Sequence, residues 1–156
     1  FTNAMASIPD FLFSGVLERF PTLKLAYSEG QIGWIPYILE RADKVWEENR
    51  AWGGVSDIVK EPPSTYYYRQ IYGCFFDDVY GLENIEKCGV NNVCFETDYP
   101  HGDGTWPDTQ AVIEKAYGGT LTEAEIAAIT HENAARVFRH PLPPPDSPHA
   151  TGLRST

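Results

Sequence analysis

Apolar side chains at Phe11, Leu12, Val16, Leu17 and Phe20 recur at helical spacing and predict a helix within residues 4–20. Pro9 and Asp10 are expected in the first turn of its main part, and Pro21 ends it. The run 23–27 predicts a short strand, closed by Ser28-Glu29-Gly30. Residues 33–49 then set Ile35, Ile38, Leu39, Ala42 and Trp46 on one helical face, and Trp52-Gly53-Gly54 breaks that helix. Residues 55–70 read as a polar, proline-containing connection with three successive tyrosines, Tyr66 to Tyr68. A second strand is expected at 71–76, and Asp77 or Asp78 can cap a helix over 79–88 that Gly89 ends. A third strand is expected at 93–96 and a further helix at 108–117. Thr122 with Glu125 three positions on is a capping box, and it opens a helical pair through residue 138. From Pro141 onward the chain holds five of its twelve prolines and almost no apolar periodicity. The pattern therefore predicts one domain over 1–140 and an extended arm over 141–156.

Helices and strands alternate, which is the signature of parallel βα units in an α/β protein. Three strands are few for an open doubly wound sheet, and the βα turns lack a glycine-rich phosphate fingerprint. The alternative is a TIM (β/α)8 barrel, which needs ~250 residues. On that reading the 156 residues supply about three βα units, the C-terminal portion of a barrel, beginning in the helix that follows the fifth strand.

Composition narrows the chemistry. Hydrophobic residues make up 42% of the chain, enough for a sizeable core. The formal charge of -10 argues against nucleic acid and anionic membrane surfaces as partners. No apolar run approaches the ~18 residues of a membrane span. Cys74, Cys88 and Cys94 are an odd, scattered set, expected to be reduced and mostly buried in a cytoplasmic protein. The chain opens at Phe1 without the layout of a signal peptide, which reads as processing, truncation or partial sequence.

The stretch Phe95-Glu96-Thr97-Asp98-Tyr99-Pro100-His101-Gly102-Asp103 carries the most chemistry. Residues 96–103 hold three acids and a histidine directly after the apolar run Val93-Cys94-Phe95. Carboxylates at the end of a buried strand are costly unless something cationic meets them. A metal ion, a substrate cation or a catalytic proton supplies that reason; so, more plainly, does an aspartate that caps the next turn. If the units form a barrel, all strand ends converge on one face, so Glu29 and Asp98 point into the same cup. Glu29 is open to two roles, a base or polar-group ligand in that cup, or a cap for the helix starting near Gly33. His101 can shuttle a proton near neutral pH or serve as a turn histidine bonded to backbone.

Several motifs together suggest a family. Phe20-Pro21-Thr22-Leu23-Lys24-Leu25, then Glu29-Gly30-Gln31-Ile32-Gly33-Trp34-Ile35-Pro36-Tyr37 and Glu40-Arg41-Ala42-Asp43, resemble the amidohydrolase-2 family. That is the branch of the amidohydrolase superfamily containing the aminocarboxymuconate-semialdehyde and hydroxybenzoate decarboxylases. Thr97-Asp98-Tyr99-Pro100-His101 looks like the end of its eighth strand, and Glu132-Asn133-Ala134-Ala135-Arg136-Val137-Phe138 resembles its closing helix. The resemblance covers about residues 3–140.

The resemblance implies that Asp98 is a metal ligand or contacts the metal-bound water, with zinc the first expectation and manganese the second. It implies hydrolysis or non-oxidative decarboxylation of small carboxylated compounds, with Asp98, Glu29 and His101 as catalytic candidates and Trp34 and Arg41 as substrate contacts. Packing and a helix-surface ion pair are the competing roles of Trp34 and Arg41. The family's other metal ligands, a His-x-His or Glu-x-His pair and a further histidine, have no counterpart, since no histidine precedes His101. Where many decarboxylases carry a histidine after the sixth strand, this chain has Glu29, which weakens the preference for decarboxylation without reversing it. The expected partners are the missing part of the barrel or further copies of the chain, with a homo-oligomer expected. Two other readings are a two-carboxylate glycosidase using Glu29 and Asp98, and a barrel piece or subunit module inactive by itself.

Overall fold

The computed structural model describes residues 1–144 and 147. Three parallel strands, β1 (Leu25–Tyr27), β2 (Ile71–Phe75) and β3 (Val93–Phe95), pair in the order β1-β2-β3. Leu25 sits opposite Ile71, and Cys74 opposite Cys94. Every residue of β2 is buried, as a central strand covered on both faces requires. The outer edges of β1 and β3 have no strand partner among the described residues.

The first helical stretch differs from expectation. It starts at Thr2 and runs to Phe13 as α1, with Pro9 inside it and not at its start. Gly15, at φ 74°, then breaks the chain before the short α2 (Val16–Arg19). Ile8, Leu12 and Leu17 are buried while Phe11 and Phe20 are exposed.

The helix α3 (Ile35–Asn49) buries Ile35, Leu39, Ala42 and Trp46, the face that its spacing predicts. Residues 55–70 are not an open connection. They form α4 (Val55–Ile58) and α5 (Pro63–Gln70), the latter with proline in its first turn, where the missing N–H costs nothing. Tyr66 and Tyr67 of α5 are fully buried and Tyr68 is exposed. The Tyr66 hydroxyl accepts from the backbone N–H of Lys60 and Glu61 and donates to Glu18, which makes its burial affordable in hydrogen bonds.

After β2 the chain forms α6 (Val79–Glu83) and α7 (Ile85–Cys88), split at Asn84, and Gly89 ends the pair at φ 83°. After β3 come α8 (Thr109–Tyr117) and α9 (Glu123–Ala127), the latter opened by the Thr122–Glu125 capping box. A π-helical turn at Ala128–Glu132 leads into α10 (Asn133–Phe138). The main core lies between the sheet and helices α1, α3 and α5. Gly73 of β2 lets Ile32 and Ile35 close onto the sheet, since a Cβ there would lie 2.9 Å from Ile32 Cγ2. On the opposite face, Tyr72, Cys74 and Cys94 pack against Ala134 and Val137 of α10, so the sheet is not covered on one side only. All three cysteines are buried. No helix among the described residues is long and apolar enough to cross a membrane. The arm predicted from Pro141 lies outside the described residues except for 141–144 and 147.

Candidate active site at the C-terminal strand ends

Two loops build the site, one after β1 and one after β3. In the first, Glu29 and Gln31 both hold left-handed backbone conformations, at φ 56° and 55°. In the second, Asp98 does the same at φ 52°. Such conformations cost a non-glycine residue about 1–3 kcal/mol and persist only where surrounding contacts impose them. Here the contacts are visible. The Glu96 carboxylate accepts the backbone N–H of Glu29 at 2.7 Å and ties the end of β3 to the end of β1 across the central strand. Trp34 donates its indole N–H to the Gly30 carbonyl at 2.7 Å and braces the same loop from the start of α3. Thr105 N–H returns to the Thr97 carbonyl at 3.0 Å, which folds the loop after β3 back on itself. Gly104 permits that closure, because a Cβ would stand 2.4 Å from the Thr97 carbonyl oxygen.

The result is a compact group. Donor atoms of Glu29, Asp98 and His101 all lie within 4.8 Å of one another. Asp98 is mostly covered, with its side chain 10% exposed, whereas His101 is 62% exposed. His101 Nδ1 meets Asp98 Oδ1 at 2.7 Å, and its backbone N–H donates to the Asp98 carbonyl at 2.8 Å. The hydrogen bond to Asp98, reinforced by that carboxylate's charge, holds the His101 imidazole above the ordinary histidine range. Burial pushes the Glu96 carboxyl above the usual carboxylate range; the Glu29 N–H works against that rise, and the charges of Glu29 and Asp98 add to it. The loop after β3 thus concentrates negative charge at the strand ends, with one protonatable imidazole facing solvent.

The third loop, after β2, uses its aspartate differently. Asp78 caps α6 through the Gly81 N–H at 2.8 Å, and it also accepts the N–H groups of Ile32 and Gly33 at 2.7 and 2.6 Å. Asp78 therefore fastens the loop that leads into α3 to the start of α6, and Glu29 does not cap α3. The helix α3 starts at Ile35 without a side-chain cap.

Of the expected site residues, Glu29, Asp98 and His101 come together, and Trp34 braces their loop while packing against the main core. Arg41 does not join them. It is exposed on α3, about 9 Å along the axis from the start of that helix. His131 lies in the π-helical turn, with Nδ1 3.0 Å from the Thr130 hydroxyl. Sequence reasoning passed over Glu96 as an individual residue. Its signal was available, an acid at the first position beyond a buried strand, but its partner lies 67 positions away.

Known proteins share this fold. The model of a family described as amidohydrolase matches residues 2–140. Among solved structures, an amidohydrolase from Mycobacterium avium subsp. paratuberculosis superposes with a TM-score of 0.71 at 20% identity, over 86% of this chain and 33% of that one. A 5-carboxyvanillate decarboxylase from Sphingomonas paucimobilis gives 0.67 at 29% identity, over 88% and 39%. A dihydroxybenzoic acid decarboxylase from Polaromonas sp. JS666, solved with manganese and the inhibitor 2-nitroresorcinol, gives 0.63 at 20% identity, over 86% and 39%. The chain spans between a third and two-fifths of the length of these structures, and its three strands match part of their barrel. No curated protein matches the sequence. With the match over residues 2–140 and a parallel sheet that matches part of those barrels, the chain belongs to the amidohydrolase family.

Proposed function

We propose that the chain forms the C-terminal part of a metal-dependent enzyme that hydrolyses or decarboxylates small carboxylated compounds. The observation that carries this reading is the convergence of Glu29, Asp98 and His101 within 4.8 Å at the ends of two strands. Two carboxylates and an imidazole are hard and borderline donors that suit zinc or manganese, so the residues present fit such an ion. Asp98 and Glu29 would hold it, with His101 as a further ligand or the neighbouring proton carrier. A bound divalent cation supplies a Lewis acid that polarises a substrate oxygen or activates water. Manganese in the Polaromonas relative supports a divalent cation of this kind.

The remaining steps belong to the protein. Where Asp98 holds the ion through one oxygen, its Oδ1 stays hydrogen-bonded to the His101 ring, and the exposed imidazole can carry a proton between the cup and solvent. Glu96 and Trp34 keep Glu29 turned into the same cup. The 29% identity to a carboxyvanillate decarboxylase supports an aromatic carboxylate as substrate. A separate cavity of about 700 Å³ between α6 and α8 is edged by Asp77, Glu83, Asp103 and Asp108 and by Lys115. The free edges of β1 and β3 support further strands as structural partners.

The test is a panel of small aromatic and unsaturated carboxylates, assayed for product and for carbon dioxide with and without chelator, on this chain and on the chain joined to the remaining barrel strands. Metal-dependent turnover that falls by about 10²–10⁴-fold in Asp98→Asn is expected. Chelator-insensitive turnover removes the metal reading. Full activity in Asp98→Asn removes the role of Asp98.

A further inference from the structure

A second polar cavity lies at the opposite end of the sheet. Its volume is about 540 Å³, and Thr22, Leu23, Lys24, Tyr72, Arg136, Val137 and Arg139 line it. Lys24 immediately precedes β1, Tyr72 is the second residue of β2, and Arg136 and Arg139 close α10. The cavity therefore sits at the N-terminal strand ends, away from Glu29 and Asp98.

Its charge is unusual for this chain. The protein carries 22 acids against 12 lysines and arginines, yet three cations and no carboxylate line this cavity. None of the three forms an ion pair among the described residues, where the ion pairs are Lys44–Glu48, Arg50–Glu47 and His101–Asp98. Like charges around one cavity repel one another, and that repulsion is relieved when an anion enters. The arginine charges also complement the carbonyl end of α10, but this accounts for neither the position of Lys24 nor the lining by Tyr72.

Two of the cations are already held in place by neutral groups. Arg136 donates to the Asn91 carbonyl at 2.9 Å and to Asn133 Oδ1 at 2.8 Å, and Lys24 donates to the Arg69 carbonyl. Their remaining N–H groups have no partner among the described residues. Tyr72 gives the independent indication. It is 6% exposed, lines the cavity, and its hydroxyl has no hydrogen-bond partner among the described residues. The polar side-chain atoms sealed without a partner among the described residues are Gln31 Oε1 and the Tyr117 hydroxyl, so the Tyr72 hydroxyl opens on the cavity and can meet a ligand there.

We infer that this cavity binds a small oxyanion, a phosphate or carboxylate group, between Arg136, Arg139 and Lys24, with the Tyr72 hydroxyl as a neutral donor. The guanidinium groups suit such a ligand because their N–H forks match two of its oxygens at once. The site is separate from the catalytic proposal and does not depend on it.

The experiment is a titration of the full chain with inorganic phosphate and, separately, with acetate, at constant ionic strength set by sodium chloride, followed through backbone amide NMR shifts. Saturable shifts confined to residues 22–24, 72 and 136–139 are expected. Arg139→Gln should raise the apparent Kd about ten-fold or more, and Tyr72→Phe about three-fold. Neither variant removes a hydrogen bond that the fold uses, so unchanged shifts elsewhere check that the structure is intact. Tighter binding of phosphate assigns a dianionic ligand and tighter binding of acetate a carboxylate; both support the site. Absence of saturation with both anions, or equal Kd values in wild type and both variants, overturns it.

Discussion

Asp78 and Asp98 both lie within three residues of the end of a buried strand, yet they do opposite work. Asp78 gives its two oxygens to three backbone N–H groups, two of them in the loop after β1 and one in α6. It is a fastening. Asp98 makes one side-chain bond, to an exposed histidine, and holds a strained backbone next to Glu29. A carboxylate at a strand end is therefore not a sign of chemistry by itself. What separates the two is how much of the acceptor capacity the protein has already used.

The comparison breaks most sharply on stability. Asp78→Ala leaves three N–H groups without their acceptor and should cost about 3 kcal/mol or more, since hydrogen bonds to charged groups contribute about 1.5–3 kcal/mol each. Asp98→Asn should stay within about 1 kcal/mol of wild type, because asparagine accepts the same left-handed conformation. Paired urea denaturation curves measure both. Equal losses in the two variants would show that Asp98 is a fastening as well.

Next in size is Gly104→Ala. The added Cβ meets the Thr97 carbonyl at 2.4 Å, so the loop after β3 must open. A loss of about 1–3 kcal/mol is expected, together with displaced amide resonances at Asp98 and His101.

Glu29→Gly should act in the other direction. Relief of a left-handed non-glycine residue is expected to raise stability by about 1 kcal/mol while removing one carboxylate from the cup. A gain in stability with a loss of metal binding is the trade expected of a functional position.

The smallest effect is the pH response of His101. Its folded pKa lies above the unfolded value, so its contribution is fully present below the ordinary histidine range and is lost as pH rises through the raised value. Titration of its ring protons by NMR should show that raised midpoint, and Asp98→Asn should bring it back down. No change in the midpoint would remove the pairing of the two groups.

Much of this was legible in the chain. The β2 run, the buried face of α3 and the Thr122–Glu125 box depend on local pattern, and the structure keeps them. The Asp98–His101 contact is also local, three residues apart. What escaped the sequence is long-range or depends on one backbone angle. Gly15 divides the first helix although the apolar spacing runs through it. Pro62 and Pro63 suggest a loop, yet Pro63 starts α5, whose buried tyrosines find partners in distant segments. The ties from Asp78 to Ile32 and from Glu96 to Glu29 span 46 and 67 positions, beyond any periodicity. Those ties decide which carboxylates are free for chemistry.

The central claim is that Glu29, Asp98 and His101 form the metal-binding part of this chain. Manganese(II) added in small, substoichiometric amounts, with paramagnetic broadening of the amide NMR spectrum as readout, tests it even if binding by the chain alone is weak. Broadening should begin at residues 28–31 and 97–103, disappear in Asp98→Asn, and persist in Asp78→Asn. Broadening that starts around Asp77, Glu83 and Asp108 instead, or that is unchanged by Asp98→Asn, would contradict the account.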